Sequence, residues 1–311
     1  MEQFLSGYIV HSLSFLLIFI ALATLLHMQF GLTGIANFGI VGFWGFGMYS
    51  CALLLLKLNI PFVLAVLLAT VLTGLISLAL GRIILNLDDQ AVLVATLAFA
   101  TFIEYLVITE KWLTNGVLGY GTITFPFNFG KYTEFVYFLI VLVLTVILIL
   151  YTFKLETSPY GRLLLSIQDH EALSQSLGKP TFRQKLIFFT FTSALIGFFG
   201  AMTTPIYNYL FPRMIGPGVT FTIWIALILG GRKRIFGGLI GVLATVGLFE
   251  YIVETVVPIP TQYAEMVPNV KFVVYGLTLI LVLMFRPFGI LGDKKRSKSI
   301  KTISKFEKKE G

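Results

Sequence analysis

The sequence predicts an all-α membrane protein, a polytopic bundle of about 8–10 transmembrane helices with one broken or re-entrant glycine-rich segment. Hydrophobic residues occupy 57% of the 311 positions and charged residues only 12%, about half the share in a soluble domain. Apolar runs of about 20 residues, the length that crosses a bilayer, recur along the chain. Six glycines lie within residues 31–47, which indicates irregular backbone inside one of these runs.

Hydropathy predicts the spans one by one. The first is a transmembrane helix and not a signal peptide, because residues 1–14 contain no Lys or Arg. If 31–56 is broken or re-entrant, the N-terminus changes side, so the number of crossings stays open. The candidate spans are 8–30, 33–56, 61–86, 90–110, 133–153, 184–206, 219–231, 236–257 and 270–287.

The distribution of Lys and Arg predicts the orientation. If the 154–185 loop, the 232–234 turn and the C-terminal tail are cytoplasmic, 18 of the 23 basic residues lie inside. This asymmetry follows the positive-inside rule and places the C-terminus in the cytoplasm of a multi-pass protein of the cell membrane. We therefore expect a transmembrane domain over 1–292 and a basic cytoplasmic tail over 293–311.

The net charge of +8 does not indicate a nucleic-acid partner, because eight of the basic residues lie in the tail behind the last apolar run. Such a tail contacts anionic lipid head groups. The sequence has no phosphate-binding loop, catalytic triad or metal-ligand spacing. It predicts no catalytic residue, no metal and no cofactor.

The cytoplasmic loop 154–185 is the most informative segment. Ser158 before Pro159 predicts the start of one short helix, and Asp169 is expected to cap a second that ends near Gly178. Thr181 is a suitable cap for the next span. The pattern is typical of a docking element for a partner protein or of helices lying on the lipid surface, and both interpretations stay open.

Four motifs, spread over nearly the whole chain, resemble those of the branched-chain amino acid (LIV-type) permease subunits of ABC importers. They occur in the expected order. In chain order, the motifs are the glycine-rich segment at 31–34 and 37–39, the loop motif at 158–162, 171–172 and 177–178, the late glycine pair at 229–231 with 237–241, and the end of the last span at 285–292.

The resemblance implies a permease domain over 1–292 whose loop couples to an ATPase. The coupling residues would be Arg162, Glu171, Ala172, Leu177 and Gly178. It also implies separate ABC ATPase subunits, a second homologous permease subunit and an extracytoplasmic substrate-binding protein. The chain itself would then be a transport subunit and not an enzyme.

One departure concerns the permeation path. The family shows an intramembrane Glu soon after a Thr-Leu-Ala-Phe run, but here that position holds Thr101, and the nearest acid is Glu104. A carboxylate inside a span is costly and must face protein or water. Glu104 either lines the path, where it would meet a substrate ammonium group, or is held by hydrogen bonds between helices.

The glycine-rich segments add further pathway candidates. Interrupted apolar segments in the two halves of a transporter often mark where substrate passes, which points to Asn37 and Gly39 in the first half and to Gly230 and Gly231 in the second. Close helix packing is the alternative role for these glycines.

Two other functions remain as alternatives to an importer of branched-chain amino acids. One is an ABC permease for urea or short amides. The other is an ion-coupled secondary transporter of amino acids, for which Glu104 is the one intramembrane acid that would support coupling.

Overall fold

A computed structural model describes residues 2–121, 123–231 and 235–250, together with seven helical positions between 273 and 284. The predicted basic tail, the 232–234 turn and the 285–292 motif lie outside the described residues.

The described residues form eleven α-helices, extended in two places by π-helical turns. The six long apolar helices and the two shorter ones, α2 and α11, together account for eight of the predicted spans. The helices are α1 (Glu2–Leu26), α2 (Ile40–Leu56), α3 (Phe62–Ile84), α4 (Asp89–Thr109), α5 (Lys111–Thr114), α6 (Thr133–Thr157), α7 (Pro159–Asp169), α8 (Glu171–Ser176), α9 (Thr181–Tyr207), α10 (Pro217–Gly230) and α11 (Ile235–Val242). The all-α polytopic fold is confirmed.

The glycine-rich segment is broken, as predicted, but the helix within it begins later than the hydropathy indicated. After α1 the chain continues as a π-helix over His27–Leu32, and irregular backbone follows before α2 starts at Ile40. The predicted span 33–56 is therefore wrong at its start. Hydropathy missed the boundary because residues 34–39 are mostly apolar and are buried or half-buried, although they are not helical.

Small residues bring α2, α3 and α9 together at the centre of the bundle. A Cβ atom added to Gly47 would lie 2.2 Å from the carbonyl oxygen of Gly197, and one added to Gly197 would lie 2.3 Å from Thr73 Oγ1. No side chain fits at either glycine unless the neighbouring helix shifts or, at Gly197, the Thr73 side chain moves. This is the close packing by which helices associate in lipid.

The contacts between helices define two ends of the bundle. At the α7–α8 end, Gln168 of α7 contacts Phe30, and Gly81 of α3 contacts Leu186 of α9. At the opposite end, Lys57 Nζ donates to the carbonyl oxygen of Trp112, and residues 120 and 210 exchange backbone hydrogen bonds. The two ends separate the described basic residues as the sequence predicted, with Arg82, Lys154, Arg162, Lys179, Arg183 and Lys185 at the first end and Lys57, Lys111, Lys131 and Arg213 at the second.

Candidate functional site

A buried amide network holds the broken segment in place. Gln29, in the π-helical turn, donates from Nε2 to Thr192 Oγ1 at 2.9 Å and to Ser193 Oγ at 3.1 Å. Its Oε1 accepts from Asn37 Nδ2 at 2.8 Å. All four side chains are buried, so these hydrogen bonds supply the partners that buried polar groups need. The network joins the end of α1, the broken segment and the middle of α9.

Asn37 organises the backbone just before α2. Its Oδ1 accepts from the Gly39 N–H at 2.8 Å, the local side-chain bond by which Asn favours a turn over continued helix. The neighbouring Phe38 N–H donates to Thr96 Oγ1 of α4 at 3.0 Å. These two N–H groups therefore have partners, as polar backbone in a break inside a membrane span requires.

Gly39 is small because α4 passes directly against it. An added Cβ atom would lie 2.6 Å from the carbonyl oxygen of Thr96. Gly42, one turn on, would likewise place a Cβ atom 2.7 Å from Ala100 Cα. These contacts give Gly39 a packing role beside the pathway role that the sequence suggested, and they fix the position of α4 relative to the break.

Aromatic rings cover the break on its α10 side. The ring of Phe38 stacks on Trp224 with centroids 4.5 Å apart, and Phe30 meets the same indole edge-on at 4.9 Å. Phe221, one turn before Trp224, lies 6.0 Å from Phe38 and is exposed. An apolar aromatic surface is thus present next to the buried polar network.

Thr101 and Glu104 lie on one stripe of α4, with Leu97 and Ile108 before and after them at helical spacing. All four residues are half-buried. The Glu104 carboxylate lies beside Gly216, whose added Cβ would be 3.5 Å from Oε1, while the Thr101 hydroxyl bonds to its own helix through the carbonyl oxygen of Leu97. The stripe places a carboxylate at the edge between α4 and the start of α10.

Gly230 and Gly231 are placed against α11. A Cβ atom at Gly230 would lie 1.6 Å from the carbonyl oxygen of Gly237, and one at Gly237 would lie 2.2 Å from that of Gly231. Gly231 also has φ +114°, so it ends α10 in a conformation that other residues rarely adopt. Both features support the packing role for this pair. In the described part of the chain, the atoms nearest to a Cβ at Gly230 belong to Gly237, and neither Glu104 nor Asn37 is among them.

The first loop helix, α7, begins as predicted. Ser158 is its N-cap and accepts from the Gly161 N–H at 3.0 Å, with Pro159 in the first turn. Leu164 and Ile167 are fully buried and attach α7 to the bundle. Arg162 is exposed, and its Nη1 donates to the carbonyl oxygen of Thr157 at 3.1 Å.

The second loop helix, α8, exposes its apolar residues. Leu173 is 59% exposed and Leu177 is 72% exposed, and Ala172 is exposed beside them. The buried residue of α8 is instead Ser174, whose Oγ donates to the carbonyl oxygen of Ser166 in α7 at 3.1 Å. A short helix is thus held against the protein by a polar contact while its leucines face outward.

Gly178 ends α8 in a Schellman motif. The Lys179 N–H donates to the carbonyl oxygen of Ser174 at 3.1 Å, and the Gly178 N–H donates to that of Gln175 at 2.8 Å. Gly178 has φ +76°, the left-handed conformation that the motif needs, and no atom lies within 4 Å of an added Cβ. Its requirement for glycine is therefore a matter of backbone conformation and not of space.

Two expected capping residues do not cap. Asp169 is the last residue of α7, and His170 occupies the N-cap position of α8 without a side-chain hydrogen bond. Thr181 is the first residue of α9, and its Oγ1 accepts from Gln175 Nε2 at 2.9 Å. Each prediction was wrong by a single residue, because α7 extends to Asp169 and Thr181 is used to hold α8 to α9.

Glu171 already has a partner within the chain. Its Oε2 pairs with Lys185 Nζ of α9 at 2.5 Å. The resemblance implied that Glu171 is a coupling residue. Within the chain, the ion pair fixes α8 to α9.

Sequence reasoning missed Gln29, His27 and Gln168. His27 Nε2 and Glu156 Oε1 are 2.7 Å apart, which joins the π-helical turn to the end of α6. Gln168 reaches the same turn from α7 through the carbonyl oxygen of Phe30. A signal was available, because an amide such as Gln29 inside an apolar run must have a buried polar partner.

Comparisons with known proteins agree with this architecture. A family model described as branched-chain amino acid transport system / permease component matches residues 8–283. The high-affinity branched-chain amino acid transport system permease protein LivM of Salmonella typhimurium is 24% identical, over 88% of this chain and 68% of its own.

Two proteins of Methanocaldococcus jannaschii also match. Its probable branched-chain amino acid transport permease protein LivH is 28% identical over 97% of this chain and 96% of its own. Its probable LivM is 25% identical over 86% and 89%. The family model covers most of the chain, from α1 into the helical positions after 273. The chain belongs to the family of permease components of branched-chain amino acid transport systems, the LIV-type ABC permeases.

Proposed function

We propose that this chain is one membrane subunit of an ATP-driven importer in the cell membrane, and that it carries branched-chain amino acids or a similar small polar solute. The observation that carries the proposal is α8, a short helix whose Leu173 and Leu177 face outward at one end of the bundle. The substrate class follows the names of the relatives, which are branched-chain amino acid transport proteins.

The partner of α8 is a cytoplasmic ABC ATPase that hydrolyses ATP on behalf of the transport subunit. The exposed leucines and Ala172 supply an apolar face that fits a groove on a partner protein. The Glu171–Lys185 ion pair and the Gln175–Thr181 hydrogen bond support this role, since they fix the helix to α9 before it docks. A docking element that is fixed in advance loses less entropy on binding.

The α7–α8 end faces the cytoplasm. The basic residues of the described part of the chain favour this orientation, because six lie at that end and four at the other. With the nine predicted spans, the C-terminus lies in the cytoplasm as well. A reporter fused after residue 311 that is active only outside the cell would contradict the orientation.

The permeation path runs along the α4 stripe that carries Thr101 and Glu104. A half-buried carboxylate inside a span is unfavourable against lipid, so water or another protein subunit must cover it. A second homologous permease subunit covers this face and completes the path. Glu104 meets the ammonium group of an amino acid there, and Phe38 and Phe221, whose rings lie 6.0 Å apart, contact its apolar side chain.

Reconstitution tests the proposal directly. Proteoliposomes that contain this chain, the second permease and the ATPases are supplied with the extracytoplasmic binding protein and radiolabelled leucine. We expect leucine uptake that requires both ATP and the binding protein. Uptake that an ion gradient drives without ATP would establish the secondary transporter instead, and ATP-dependent uptake of urea or short amides without leucine would correct the substrate class.

A further inference from the structure

The α7–α8 unit, residues 159–176, is attached to the bundle at several places besides the buried Leu164 and Ile167. It follows α6 directly at Ser158, it is fixed to α9 by the Glu171–Lys185 ion pair, and Gln168 contacts the turn at the end of α1. Within the unit, Ser174 ties α8 to α7. Force applied to α8 therefore reaches the bundle at these points, of which one is the broken segment.

The contact at Gln168 is local and specific. Its Nε2 donates to the carbonyl oxygen of Phe30 at 3.1 Å, and that same oxygen accepts from the Gly34 N–H at 3.2 Å. Gln168 Cγ lies 3.3 Å from the position of a Cβ atom at Gly34, whose φ is +77°. The amide and the methylene of one side chain thus hold both ends of the Phe30–Gly34 turn.

The held turn leads directly to the proposed path. The ring of Phe30 packs on Trp224, and three residues after Gly34 the side chain of Asn37 joins the buried amide network. The backbone of Asn37 accepts the indole N–H of Trp224. A displacement of the turn consequently displaces the aromatic surface between α4 and α10.

We propose that Gln168 is the positioning residue that transmits movement of the α7–α8 unit to the broken segment, so that the unit and the Phe30–Gly34 turn move as one body. The inference rests on the proposed function, since the unit moves only if an ATPase acts on α8. It goes beyond that function by naming a residue that touches neither the ATPase face nor the path.

The first test replaces the amide while keeping most of its volume. In the reconstituted complex, Gln168→Leu is expected to leave ATPase co-purification and binding-protein-stimulated ATP hydrolysis at the wild-type level. Leucine taken up per ATP hydrolysed should fall by about fivefold, because one hydrogen bond that couples two elements has been lost. Ser166→Ala is the matched control, because it removes one hydroxyl from the exposed side of α7 and should leave the ratio unchanged.

A cross-link provides the converse test. The Sγ atom of a cysteine at 168 would lie close to the present position of Gln168 Cγ. In a disulfide, Sγ lies about 3 Å from the Cβ atom of the partner cysteine. The distance from Gln168 Cγ to the Cβ position at Gly34 is 3.3 Å, so the geometry suits a disulfide. The double variant Gly34→Cys/Gln168→Cys is made in a chain whose natural cysteine is replaced (Cys51→Ala). When its thiols are reduced, the ratio of leucine taken up to ATP hydrolysed should be as low as in Gln168→Leu. Oxidation should restore the leucine-to-ATP ratio to at least half the wild-type value, because the disulfide replaces the contact of Gln168 with the Phe30–Gly34 turn.

Two outcomes would overturn the inference. A wild-type ratio in Gln168→Leu means that the contact transmits nothing, and loss of uptake on oxidation of the double variant means that the two segments must separate. Failure of the proposed function gives a different result, because the wild-type complex would then show no ATP-dependent leucine uptake at all.

Discussion

The indole Nε1–H of Trp224 donates a hydrogen bond to the backbone carbonyl oxygen of Asn37, 3.1 Å away. This contact joins the short helix α10 to the break between α1 and α2, two elements 187 residues apart in sequence. The side chain of Asn37 bonds to Gln29 at the same place. The break is therefore a defined element of the fold, with hydrogen bonds to side chains of α4 and α10 and to the turn at the end of α1.

Asn37→Leu should destabilise the folded protein by about 2–4 kcal/mol, because Gln29 and the Gly39 N–H would lose buried partners. Thermal unfolding of the purified permease in detergent measures the effect. Thr70→Val is the control, since Thr70 bonds to the backbone of its own helix. Equal melting temperatures for the two variants would show that water or a rearranged side chain satisfies the network.

Gly47→Ala should separate α2 from α9, because the added Cβ atom would lie 2.2 Å from a backbone oxygen. Overpacking of this kind costs about 1–3 kcal/mol, and the melting temperature should fall accordingly. Gly276→Ala, at a helical glycine where no atom of the described residues lies within 4 Å of the added Cβ, should have no such effect. If both variants behave alike, the close contact between the helices is not important for stability.

The helical spans were predictable because a run of about twenty apolar residues crosses the bilayer, where the backbone N–H and C=O groups must bond to one another within a helix. The break at residues 34–39 could be anticipated from its glycines, but its start could not. The irregular backbone depends on partners that include Thr96 Oγ1, which accepts from the Phe38 N–H, and the Trp224 indole, which donates to the carbonyl oxygen of Asn37. Those two partners lie far away in sequence.

The loop was predictable in a different sense. Local signals such as Ser158-Pro159 and Gly178 were sufficient for the start of α7 and the end of α8, because caps and left-handed turns depend on neighbouring residues. The Glu171–Lys185 pair and the contact of Gln168 with Phe30 are tertiary. The sequence alone was therefore sufficient to locate the loop helices, but not to identify the residues of the bundle that they contact.

Glu104→Gln should lower leucine uptake by about tenfold, because the carboxylate that meets the substrate ammonium group becomes neutral. Assembly with the ATPase should be unchanged. Glu110→Gln is the matched control at the residue that follows α4, where the side chain bonds to the Trp112 indole. Uptake kinetics identical to wild type in Glu104→Gln would leave Glu104 with a structural role only.

Gly178→Val should abolish substrate-stimulated ATP hydrolysis with normal membrane insertion. Because φ is +76°, a β-branched residue costs about 1–2 kcal/mol and misaligns the end of α8. Gly178→Asn, which tolerates the left-handed conformation, should retain most of the activity. Full activity in the Val variant would mean that the Schellman motif is not needed to position α8.

The outward face of α8 is the basis of the proposed coupling, and co-purification of the ATPase with the Ala172→Glu permease tests it most directly. A carboxylate on an exposed apolar docking face loses its hydration on binding, so the ATPase should no longer co-purify while the permease inserts normally. Asn128→Glu, at the opposite end of the bundle, should recruit the ATPase as the wild type does. Normal recruitment and leucine uptake by Ala172→Glu would contradict the docking role and assign α8 to the lipid surface.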